Sequence, residues 1–233
     1  MGPGAIIVAS DELSRFSAFA WSMLNLQKPE GTAVRWFMGA DICRNLNNGV
    51  REMMANDSLE WAWFIGDDHS FEPDVLVRLL EHDVDAVAPL CCRRRAPFGP
   101  VVYESENKDG TVNPYRFDER GITPDSGLID VFAVGGAGLL LSRSLLESMD
   151  DPWWEHSGVA MIDEDLHLCR KIREADTKIH VDMGNHIGHL TTLAVWPRFD
   201  EERKAWGPGL RANSGVTRFD ERTHPRGGPM NGE

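Results

Sequence analysis

The sequence predicts an α/β domain with a mostly parallel central sheet flanked by helices. Three observations carry this. Short, mostly apolar runs at residues 5–9, 34–38, 61–65 and 85–90 alternate with stretches of helical periodicity, the pattern of successive strand–helix units. Polar groups gather just past the ends of these runs, Asp41 after the second and Asp67-Asp68-His69 after the third, where open α/β sheets bind ligands. The 233 residues, 42% hydrophobic and 26% charged, suit one globular domain with a tail.

The elements follow in order. Residues 5–9 form the first strand. Ser10 or Asp11 then caps a helix carrying Leu13, Phe16, Phe19, Ala20, Met23 and Leu24. Residues 34–38 are a second strand. A helix over 41–55 turns Ile42, Leu46 and Val50 inward, with Arg44, Asn45, Asn47 and Asn48 on its polar side. Asparagine is a poor helix former, so these side chains either face solvent or line a nucleotide site. Residues 61–65 are apolar without alternation and read as a strand buried on both faces. Pro73 opens a helix, with Asp68 or Ser70 as its cap on the plainest reading, and residues 85–90 are a fourth strand.

From residue 91 the character changes. Residues 101–103 and 111–117 pair as a hairpin around Lys108-Asp109-Gly110, inside an insertion over about 91–128 on the acceptor side. A strand over 128–134 leads into Gly135-Gly136-Ala137-Gly138, whose small residues fit close backbone approach or tight packing. Ser142 caps the next helix. Trp153 and Trp154 lie in a loop, either as stacking surfaces for a ligand or as its core anchors. Asp163-Glu164-Asp165 opens a helix, where its dipole favours acids. Residues 178–183 form a strand followed by His186 and His189. Residues 1–195 make the domain, and 196–233 a tail ordered only where it docks.

The net charge of −13 excludes a chain that binds polyanions over its whole surface, although Arg93-Arg94-Arg95 is a local basic cluster. Cys43, Cys91, Cys92 and Cys169 show no CxxC spacing, the pattern of reduced cytosolic thiols. No basic-then-apolar leader and no run of about 20 apolar residues is present. The expectation is a cytoplasmic protein without a membrane partner. Nothing in the sequence sets an oligomeric state.

Two adjacent carboxylates at a strand end need a cation or strong donors nearby, and carboxylate plus imidazole suits Mg2+ or Mn2+ on a diphosphate. The order of acidic pair, glycine-rich strand, Glu164-Asp165 helix and late histidine resembles the Rossmann-like GT-A fold of nucleotide-sugar glycosyltransferases, most like family 2 and the compact bacteriophage type, over roughly residues 5–195. Asp67-Asp68-His69 stands where family members carry Asp-x-Asp, with Gly66 in place of the first Asp; a register using Asp67 and His69 also matches. Asp182-Met-Gly-Asn-His-Ile-Gly188-His189 matches the segment whose histidine completes the metal site.

The resemblance implies a nucleoside diphosphate sugar donor, UDP-sugar favoured, and Mn2+ or Mg2+ held by Asp68 and His189. Ser10, Asp41, Arg44, Asn48 and Asp67 would surround base and ribose, with Gly136 and Gly138 beside the sugar. Asp165, next to Glu164, would be the base of an inverting transfer. Arg93, Arg94 and Arg95 would hold acceptor phosphates and Trp153 and Trp154 would stack on the acceptor, which for the phage type includes hydroxymethylated pyrimidines in duplex DNA. Saccharide, lipid and protein acceptors are the alternatives. A nucleotidyltransferase would need a glycine-rich loop and lysine after the first strand, absent at Ser10-Asp11-Glu12. A silent binding module would show no donor hydrolysis.

Overall fold

A computed structural model describes residues 2–10, 17–39, 41–94, 98–156, 163–191 and 193–212. The first strand, β1 (Ala5–Ser10), is followed by α1 (Ser17–Asn25), β2 (Ala33–Met38), α2 (Ile42–Met54) and β3 (Trp61–Gly66). β1 pairs in parallel with both β2 and β3. Every β1 residue is buried, because helices cover both faces. Ala5, Ile7 and Ala9 point toward Leu46, Val50 and Met53 of α2, while Ile6 and Val8 join Phe19 and Trp63 on the other face. This is the two-residue side-chain period of a strand with a core on each side. Each buried Ile or Val side chain of β1 contributes about 1.5–3 kcal/mol by leaving water.

Next come β4 (His69–Phe71), α3 (Val75–Glu81) and β5 (Ala86–Leu90). Here the structure corrects one expectation. His69 and Ser70 belong to a short strand that pairs with a later one, so neither Asp68 nor Ser70 caps α3. The N-cap position is Asp74, whose side chain makes no capping bond. Likewise Ser10 lies inside β1 instead of capping α1, and Asp11 falls outside the described residues.

The insertion contains β6 (Val102–Glu106) and β7 (Val112–Pro114), paired around a turn at Gly110 with φ 81°. The strand expected over 128–134 is broken at Phe132 into β8 (Leu128–Val131) and β9 (Ala133–Val134). β9 completes a three-stranded sheet with β6 and β7. β10 (Leu139–Ser142) runs antiparallel between β3 and β5. α4 (Arg143–Ser148) is capped by Ser142, whose Oγ accepts from Leu145 N at 3.1 Å. α5 (Asp163–Glu174) follows.

β11 (Ile179–Leu190) is twice as long as expected. It runs parallel to β5, shifts register between Asp182 and His186, then pairs with β4 so that His189 lies opposite His69. β12 (Leu193–Asp200) and β13 (Ala205–Ala212) form a hairpin on its outer side. The hairpin crosses residue 196, where the sequence pattern places the start of the tail; residues 213–233 lie outside the described ones. The main sheet runs β2-β1-β3-β10-β5-β11-β12-β13. Among the described residues no helix is long and apolar enough to cross a membrane.

Candidate active site

A cleft of about 550 Å³ opens over the carboxyl ends of β1 and β3. Its floor is Ala9, Phe64 and Ile65, with Ile42 and Leu46 of α2 beside them. The 135–137 turn, Glu164 and Asp165 also line it, as do Asp68, His69, Arg94 and His189.

The adjacent aspartates take opposite roles. Asp67 is 3% exposed, accepts a hydrogen bond from Ser10 Oγ and is absent from the cleft lining. Asp68 faces the cleft. Its Oδ1 lies 3.1 Å from His69 Nδ1, and its Oδ2 lies 3.2 Å from His189 Nε2 and 2.6 Å from Arg94 Nη1. Burial opposes charge on Asp68, yet the two histidines outweigh it and hold its carboxyl far below the usual range. Burial likewise disfavours a charged His69, but Asp68 pushes its pKa up to about 10. Gly66 makes this packing possible: a Cβ there would sit 2.8 Å from Asp68 Oδ1 and 3.1 Å from His69 Nδ1.

The His69 and His189 rings stack with centroids 4.5 Å apart. Behind them sits Cys91, 2% exposed. One donor atom each from His69, Cys91 and His189 lies within 4.8 Å of the others. Burial raises the Cys91 thiol, but His189 and His69 bring it down to about 7. His69 and Cys91 are the cluster members left out of the expected ligand pair. The signal for Cys91 is its place just past β5, the same strand-end position that singles out Asp67 and Asp68.

Asp165 lines the same cleft from the start of α5. Burial and the neighbouring Glu164 push its pKa up to about 7, against the Gly136 backbone N–H, which bonds its carboxylate. A Cβ on Gly136 would lie 2.4 Å from Asp165 Oδ1, so only glycine leaves room for that contact. Gly138 is different. It has φ 75°, donates to Phe64 O at 2.9 Å and accepts from Trp63 Nε1 at 2.8 Å. It holds the turn and does not line the cleft.

The tryptophan pair is core, correcting the picture of an exposed acceptor platform. Trp153 and Trp154 are 6% and 1% exposed, because their rings fill space under α2 and beside Phe64, 4.6 Å from the Trp154 ring. Asn47 clamps the loop: its Oδ1 accepts from Trp153 N at 2.9 Å and Trp154 N at 3.1 Å, and its Nδ2 donates to Trp154 O at 2.8 Å. Trp154 still reaches the cleft floor.

The remaining expected residues divide. Asp41 is exposed and outside the cleft lining, caps α2 through Arg44 N at 3.1 Å and meets His156 Nε2 at 2.7 Å. The Arg44 side chain is exposed and outside the cleft lining, and Asn48 accepts from Arg51 Nη1 at 3.0 Å. Helical geometry turns both from the cavity. Arg93 lines the cleft and donates to Tyr103 OH at 2.9 Å. Arg95 falls outside the described residues. His186 Nε2 lies 2.9 Å from Met183 O, away from the cluster.

No protein-family model and no curated protein matches this sequence. Solved structures do match in shape. One is the crystal structure of A197 from STIV, with a TM-score of 0.58 at 11% identity, covering 93% of this chain and 98% of that one. Another is GalNAc-T7 with UDP, GalNAc and Mn2+, with a TM-score of 0.55 at 10% identity, covering 82% of this chain and 44% of that one. The chain therefore spans less than half of the GalNAc-T7 chain. At such identities the likeness is one of fold, and the fold is of the GT-A type.

Proposed function

We propose that this protein is a metal-dependent glycosyltransferase that moves a sugar from a nucleoside diphosphate sugar, UDP-sugar favoured, to an acceptor hydroxyl. The observation that carries the reading is the meeting of two kinds of group in one cleft. Asp68, flanked by His69 and His189, shares the cleft with a carboxylic acid, Asp165, whose pKa is lifted to about 7. GalNAc-T7, similar in fold, was solved with UDP, GalNAc and Mn2+, which supports a nucleotide-sugar donor and a divalent cation here. The donor set fits such a cation: a carboxylate oxygen and imidazole nitrogens converge at one cleft wall.

Asp68 and His189 would hold the cation, Mn2+ or Mg2+, which when bound neutralises charge developing on the diphosphate leaving group. Asp165 takes the proton of the acceptor hydroxyl in an inverting transfer. A pKa near working pH suits a base that must be ionised yet basic. Gly136 fixes the carboxylate through its N–H, and Glu164 raises its basicity. Ser10 acts from beneath the cleft by holding Asp67, and Asp41 offers an exposed acceptor at the start of α2. We assign the acceptor side to the insertion over 91–128.

Hydroxymethylated duplex DNA, as in bacteriophages, is the acceptor that the arginines and tryptophans suggest in sequence. Arg93 and Arg94 are engaged with Tyr103 and Asp68, and the tryptophans are core. These placements give DNA no advantage over saccharide, lipid or protein hydroxyls as acceptor. A thermal-shift panel of nucleoside diphosphates with and without Mn2+ tests it. Metal-dependent stabilisation by one base class is expected; none with any nucleotide would remove the reading. Donor hydrolysis separates an enzyme from a silent binding module.

A further inference from the structure

We propose that His69, Cys91 and His189, with Asp68 against both rings, form a site for a thiophilic divalent cation of the zinc and cobalt class. This rests on the metal-dependent reading above and shares His189 with it, but takes His69 and Cys91 in place of Asp68 as ligands and Zn2+ or Co2+ in place of Mn2+ or Mg2+ as the ion.

Three observations carry it. First, donor atoms of two imidazoles and one thiol already lie within 4.8 Å of one another, just past the end of β5, at the start of β4 and in the register-shifted β11, which the fold brings together. Second, His69 Nε2 is buried and has no hydrogen-bond partner among the described residues. A buried imidazole nitrogen without a partner is costly, and its neighbour in the cluster is the Cys91 thiol. Third, Asp68 touches each ring with a different oxygen, at 3.1 Å and 3.2 Å. A carboxylate that holds ligating histidines in place is a recurrent support of zinc sites.

The ligand chemistry then decides the ion. Mg2+ asks for oxygen ligands in octahedral array. A thiolate with two imidazoles favours zinc, or cobalt as its spectroscopic substitute. Binding converts the Cys91 thiol to thiolate, and that proton leaves to solvent.

The test is a Co2+ titration of the metal-free full chain, followed by absorption. A thiolate-to-cobalt charge-transfer band should saturate at one ion per chain, disappear on adding Zn2+ and persist in excess Mg2+. Cys91→Ser should abolish the band and weaken Zn2+ binding at least about tenfold, while Cys92→Ser keeps both. If Cys91→Ser fails to fold, X-ray absorption on the zinc-loaded wild type reads the same bond, a Zn–S distance of about 2.3 Å. Cobalt binding without the band, or a band that survives in Cys91→Ser, overturns the proposal. Mn2+-dependent nucleotide binding in a chain lacking the band would sink this site and leave the glycosyltransferase reading standing. The band without nucleotide binding would do the reverse.

Discussion

Arg94 places its Nη1 2.6 Å from Asp68 Oδ2, the same oxygen that His189 approaches at 3.2 Å. The carboxylate expected to receive a cation is therefore already held by a guanidinium. Because the Arg94 side chain is 40% exposed, the pair is worth at most about 1 kcal/mol. Arg94→Gln should raise Mn2+ affinity in the absence of nucleotide by about two- to fivefold, read by calorimetry. Unchanged or weaker binding would mean that Arg94 supports the ion site instead of competing for it.

Asp68→Ala should remove Mn2+-dependent nucleotide binding while the chain stays folded, because Asp67 is turned into the sheet against Ser10 and cannot substitute. His189→Ala should weaken the same binding and His186→Ala should barely change it, since His186 lies against Met183 O. Nucleotide titrations with circular dichroism as a fold control check the order. A larger loss in His186→Ala would place the ion elsewhere on β11.

The pH profile of kcat should rise through about 7, the pKa to which burial and Glu164 lift Asp165. The sign follows from the role: the base acts ionised, so activity is lost as pH falls and the carboxylate protonates. Asp165→Asn should lower kcat by at least about two decades, leave donor binding nearly intact and abolish that acidic limb. Near-normal turnover would reject the base role, and the anomeric configuration of the product by NMR decides inversion independently.

Asn47→Ala should destabilise the chain by about 2–3 kcal/mol, because buried backbone groups of Trp153 and Trp154 lose their partner. Urea denaturation measures it. Donor affinity should fall as well, since the loop carries Trp154 to the cleft floor. A stable variant would show that aromatic packing alone holds the loop.

Sequence alone determined the parallel α/β core and the end of the sheet that carries the cleft. The apolar runs at residues 5–9 and 61–65 are satisfied by burial on both faces, and the polar residues that follow the third run gather at the sheet's carboxyl edge. It also determined the cap at Ser142 and the turn at Gly110, because those depend on neighbours in the chain. Tertiary structure decided the rest. Adjacent aspartates look equivalent in sequence, yet the turn between β3 and β4 directs Asp67 toward Ser10 and leaves Asp68 for the histidines. Asn47 and Trp154 are 107 residues apart, so no local pattern could reveal a clamp between them. Residues from 196 onward read as a tail because the hairpin of β12 and β13 gains its order from pairing with β11, a partner that periodicity within the segment cannot see. Cys91 and His69 became neighbours of His189 only when β11 shifted register and left β5 for β4, a change set by long-range pairing.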